Sequence, residues 1–202
     1  MRLTALYMTS ILCGFGLMAM EILAARLVQP VFGSSTDVWA AIISVFILSL
    51  SVGYVIGGRI ADRARTNLAL GWVILGAGVF YVLMPTYGLR FSNALPEVVQ
   101  TARWGALVSC LALFLPPSLL LGCISPMLVK LVFVNASMVG RTTGTLYAIG
   151  SFGNVLGILV ANYLFLPLFP LNETLIALGL ALMVLGAAHL LVRVHAQGEE
   201  AA

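Results

Sequence analysis

Residues 38–63 read VWAAIISVFILSLSVGYVIGGRIADR. From Val38 to Gly58 no side chain is charged, and then Arg59, Asp62 and Arg63 arrive together. About 20 apolar residues cross the hydrocarbon core of a bilayer, and cations collect on its cytoplasmic side, so this stretch predicts a transmembrane helix that exits into the cytoplasm. Long apolar runs bounded by charge, proline or polar turns recur along the chain and predict six spans in all. They fall at about Thr4–Val28, Val38–Gly58, Leu68–Tyr87, Arg103–Leu131, Thr142–Leu166 and Asn172–Val194. The fourth contains Pro116 and Pro117, which remove backbone donors; it is read as one kinked helix, with a helix plus a re-entrant piece as the alternative.

The whole composition agrees with that stretch. Of 202 residues, 61% are hydrophobic and 8% charged, with a mean hydropathy of +1.10. Soluble domains carry roughly 25% charged residues, so a water-soluble fold is excluded and an all-α polytopic membrane protein is expected. Residues 1–194 form the six-helix domain in this reading, and 195–202 a short polar cytoplasmic tail.

The net charge of +3 does not point to nucleic acid, because the cations sit singly at the ends of apolar runs. Arg2, Arg59, Arg63, Arg65, Lys130, Arg141 and Arg193 fall on one side, against Arg26, Arg90 and Arg103 on the other. That bias places both termini in the cytoplasm, with a bacterial inner membrane as the expected location. Trp39, Trp72 and Trp104 each lie near the start of a span, where an amphipathic ring prefers the headgroup region. A cleaved signal peptide is the competing reading of the N-terminus, but its apolar run is too long and Glu21 would sit just before the cleavage site. Cys13, Cys110 and Cys123 have no CxxC spacing, so neither disulfides nor a metal site is expected, and no cofactor is expected either.

Glu21 is the costliest residue in the sequence, since an ionisable group inside a span must be paired, protonated or facing water. A rise of about 1.5 Å per residue puts it roughly 25 Å along the first helix, in the outer half of the bilayer. Arg26 is five residues on, about 140° around the helix, and is a poor partner. Two readings stay open: a cation or proton site, and a structural ion pair or protonated carboxyl. Tyr147, Ser151 and Asn154 form a polar stripe on the fifth span that lines a solute path with Glu21 or bonds between helices. His189 is read as a packed or interface histidine. Small residues at four-residue spacing, Ser49-xxx-Gly53-xxx-Gly57, Gly140-xxx-Gly144 and Gly153-xxx-Gly157, predict close helix packing.

The segment Gly57-Gly58-Arg59-Ile-Ala-Asp62-Arg63 is expected to form a charged turn after the second span. It resembles the cytoplasmic loop between helices two and three of major facilitator transporters, which makes it a gating turn or a topological anchor. Arg65-Thr66-Asn67 departs from the glycine and second basic cluster expected downstream.

A broader resemblance follows the chain in order through Gly14-Phe15-Gly16, Glu21-Ile-Leu-Ala-Ala-Arg26, Pro30-Val-Phe-Gly33-Ser34, Trp39 and the Asp62 segment. It continues through Pro117-Ser-Leu-Leu-Leu-Gly122-Cys-Ile-Ser-Pro126, Gly140-Arg141, Gly144-Thr-Leu-Tyr147-Ala148, Gly150-Ser-Phe-Gly153 and Leu164-Phe-Leu-Pro167. Together these resemble the membrane domain of spermidine synthase-like membrane proteins, a transporter-like bundle, similar to a major facilitator half, fused to an aminopropyltransferase-like domain. No residues of such a catalytic domain follow Val194. The resemblance therefore implies a non-catalytic membrane module, with no catalytic residues of its own, that anchors or delivers substrate to a soluble aminopropyltransferase-like partner. A small polyamine or other transporter built as a homodimer of six-helix halves, and an accessory subunit of a larger membrane complex, are the alternatives.

Overall fold

The computed structural model describes residues 2–63, 67–96, 104–132 and 139–192. Arg65, Thr66, Arg103, Arg193 and the 195–202 tail lie outside the described residues. The described residues are 94% helical and contain no strand. Six helices are long and apolar enough to cross a membrane, and the chain is an integral membrane protein.

The helices are α1 (Arg2–Phe32), α2 (Thr36–Arg63), α3 (Leu68–Ala94), α4 (Gly105–Val132), α5 (Val139–Val160, extended to Leu168) and α6 (Leu171–Leu191). Most outlast the apolar runs that predict them, because backbone hydrogen bonds remain worth making where the helix emerges into the headgroups. α4 runs unbroken through Pro116, Pro117 and Pro126, so the single-helix reading holds. α5 widens into a π-turn at Ala161–Phe165, where the Leu166 N–H donates to the Ala161 carbonyl five residues back. Pro167 explains the widening: it lacks the N–H that would close an ordinary turn onto Tyr163.

Gly57 through Arg63 are the last two turns of α2, not a turn after it. The helix persists there because Gly57 is a packing residue. A β-carbon on Gly57 would fall on the Cα and carbonyl of Cys123 in α4, and one on Gly53 on the Leu119 carbonyl and Gly122. Without those carbons the two backbones meet directly, which is how helices associate in lipid, where the hydrophobic effect gives no drive.

The same contact is built twice. Gly153 and Gly157 of α5 face the backbone carbonyls of Ile11 and Phe15 in α1, just as Gly53 and Gly57 face Leu119 and Cys123. Between α3 and α6, Gly71 meets Gly186 and Gly78 meets Gly179, an antiparallel pairing that maps onto itself. α1–α3 and α4–α6 are therefore two copies of one three-helix unit, with α1·α5, α2·α4 and α3·α6 as the packed pairs. An odd number of crossings per unit makes the copies inverted in the membrane. Residues follow suit: Ser51, Gly53, Val55 and Gly57 recur as Ser151, Gly153, Val155 and Gly157.

The lipid-facing sides carry Ile47, Val55, Leu180 and Val184, all exposed. Trp39, Trp72 and Trp104 are also exposed at helix starts. Inside, Tyr81 of α3 is fully buried and its hydroxyl donates to the Gly16 carbonyl of α1 at 3.0 Å, so its polar atom is satisfied. The three cysteines are buried free thiols.

Candidate functional site

α1 and α4 stand at the centre, α5 packs on the first and α2 on the second, and a cavity of about 410 Å³ remains among the four. It falls between the two repeat units, the place where inverted-repeat membrane proteins hold their solutes. Ser10, Cys13, Gly14 and Leu17 line it from α1, and Leu121, Ile124, Ser125 and Leu128 from α4. α2 adds Leu50 and Tyr54, and α5 adds Tyr147, Ser151 and Asn154. Tyr54 and Tyr147 are 48% and 54% exposed, so the cavity opens sideways between α2 and α5.

Hydrogen-bonding capacity converges on this space unspent. Ser10 donates to the Leu146 carbonyl at 3.4 Å. The hydroxyls of Tyr54, Ser125, Tyr147 and Ser151 make no hydrogen bond to another described residue, and the Asn154 Oδ1 is buried against Gly14 without a partner. Neutral polar groups at this depth are costly when unpaired, and these are set around one volume.

Of the residues singled out in the sequence, Tyr147, Ser151 and Asn154 come together here; Glu21 does not. It lies on the same ridge of α1, one turn beyond Leu17, is half-buried, and makes no hydrogen bond or ion pair with a described residue, Arg26 included. Glu21→Gln is accordingly expected to cost no more than about 0.5 kcal/mol of thermal stability in nanodiscs. A loss above about 1 kcal/mol would reveal a partner for the carboxylate. Among the small residues, Gly53, Gly153 and Gly157 pack against backbone, whereas Gly58, Gly140 and Gly144 meet no other described residue within 4 Å of an added β-carbon. Arg59, Asp62 and Arg63 stand on the last turns of α2, away from the cavity, with Arg59 and Arg63 flanking a shallow cleft.

The sequence reading did not pick out Ser10, Tyr54 or Ser125. A signal for Tyr54 was present: it stands in the α2 copy of the repeat where Asn154 stands in the α5 copy.

The cavity's chemistry is set by what it lacks. Among the described residues, no acidic or basic side chain lines it. An ammonium ion moved to the bilayer interior costs about 2.5–3.5 kcal/mol on insertion scales. A tyrosine face returns about 0.5–1 kcal/mol where exposed and about 2 kcal/mol where desolvated, so a single ring falls short of that cost and no carboxylate among the described lining residues adds to its return.

A second polar cluster closes the other side of the bundle. The Thr9 hydroxyl donates to the Ala5 carbonyl at 2.9 Å and lies 2.8 Å from His189 Nε2. Asn67 Nδ2 donates to the carbonyls of His189 at 2.9 Å and Val192 at 2.8 Å, and faces His189 Nδ1 at 3.2 Å. The two carbonyls draw on both protons of the amide and fix its orientation, so Nδ1 faces a donor that is shared three ways, and the spent Thr9 proton leaves Nε2 as the donor to the Thr9 oxygen. His189 thus joins α1, the start of α3 and the end of α6.

No family model, curated protein or solved structure matches this chain.

Proposed function

We propose that this chain is a non-catalytic membrane module that holds a small solute in the α1/α2/α4/α5 cavity and works with a partner. The observation that carries the reading is the set of unpaired hydroxyls and the Asn154 amide gathered around one volume at the junction of the two repeats. The ordered resemblance to spermidine synthase-like membrane domains supplies the partner: a soluble aminopropyltransferase-like chain on the cytoplasmic face. The arginine and lysine bias supports that orientation, in a bacterial inner membrane.

Affinity purification of the tagged chain from native membranes tests this. A soluble aminopropyltransferase-like polypeptide is expected in stoichiometric amount, together with a small molecule released on denaturation. Repeated recovery of the chain with no soluble partner would remove the support for that half of the reading.

A second reading, a transporter made of two copies, is favoured by the sideways opening between α2 and α5. It requires a dimer in a native-like bilayer and flux of labelled polyamine, amino acid or drug into liposomes. A monomer that moves none of them rules it out.

A further inference from the structure

The polarity of the central cavity comes from Ser10, Tyr54, Ser125, Tyr147, Ser151 and Asn154, five hydroxyls and one amide. Its walls are leucine and isoleucine. Each polar group both donates and accepts, and none carries a fixed charge. The only acidic side chain on that face of α1, Glu21, is a turn outside. A charged solute entering here gives up its water and meets no opposite charge among the described lining residues, whereas an uncharged one exchanges water hydrogen bonds for those of the lining. The volume, about 410 Å³, lies within the range of small-ligand sites, roughly 300–1,000 Å³.

We infer that this cavity selects uncharged alcohols or amides with an apolar body and rejects ammonium ions, polyamines included. The inference rests on the reading of the cavity as a solute site. It also narrows that reading: an aminopropyltransferase-like partner is anchored by this module and does not receive its amine through it.

Isosteric alcohol and amine pairs decide the matter: tyrosol against tyramine and tryptophol against tryptamine, with spermidine as the polycation. Binding is measured calorimetrically to the full chain in nanodiscs at neutral pH. Each alcohol is expected to bind roughly tenfold or more tightly than its amine. Binding is expected to be lost in Ser151→Leu and Tyr147→Leu, whose side chains are exposed within the chain and tolerate the change. Unaltered melting of both variants checks that the fold is intact. Amines binding as tightly as alcohols, with the same loss in the variants, would overturn the charge rule and leave the solute site standing. Alcohol binding that survives both variants would place the ligand elsewhere and also overturn it. If neither member of any pair binds, the solute-site reading falls and the inference with it.

Discussion

Gly57→Leu is expected to destabilise the folded bundle severely, while Gly58→Leu, one residue along, leaves it intact. At Gly57 the first added carbon already collides with the Cα and carbonyl of Cys123, so the obstacle is backbone and no rotamer relieves it. α2 and α4 must separate, and with them goes the most extensive helix pair in the chain. Overpacking costs typically about 1–3 kcal/mol where side chains can shift; against two rigid backbones the loss is expected at or above about 3 kcal/mol, a large part of a total near 5–15 kcal/mol. A β-carbon at Gly58 has no described residue within 4 Å, so leucine there is expected to stay within about 0.5 kcal/mol of the parent. Yield of monodisperse protein and thermal unfolding in matched detergent read both variants. Equal behaviour of the pair would refute the backbone-contact account of α2·α4.

His189→Leu is expected to cost about 1–3 kcal/mol, because the Thr9 hydroxyl loses its contact with Nε2 and the Asn67 amide its contact with Nδ1 in a buried setting. Asn67→Leu is expected to cost a similar amount, since the His189 and Val192 carbonyls at the end of α6 lose their donor. The two changes share one network, so the double variant should lose less than the sum of the singles. The readout is the unfolding free energy of all four proteins in one bilayer mimic. Strict additivity, or a His189→Leu loss under about 0.5 kcal/mol, would show that the cluster contributes no linked stability.

The spans were legible because lipid imposes a length and an apolarity on each helix that few other structures share. The charged residues after Gly58 were less so. Glycines followed by arginines look like a turn, yet Gly57 is held in the helix by a neighbour that sequence does not display. Gly140 and Gly144 show the converse, since their spacing equals that of Gly153 and Gly157 but none of the described helices comes to meet them. Glu21 drew attention through the cost of its charge, whereas the cavity lies where α1 and α4 part, a turn away. The repeat was readable all along in Ser51-x-Gly53-x-Val55-x-Gly57 and Ser151-x-Gly153-x-Val155-x-Gly157, and pairing those strings would have nominated Tyr54 beside Asn154.

The α1·α5 pairing constrains how the protein is made. The glycines that receive the Ile11 and Phe15 carbonyls are synthesised about 140 residues later, a wait of roughly 7–30 s at translation rates of about 5–20 residues/s. Throughout that interval the first helix sits in the bilayer with its docking face open to lipid and to any insertion factor beside it. The α1·α5 contact therefore cannot close before α5 is made, and a ribosome stalled between α4 and α5 leaves a membrane intermediate whose α1 has yet to find its mate.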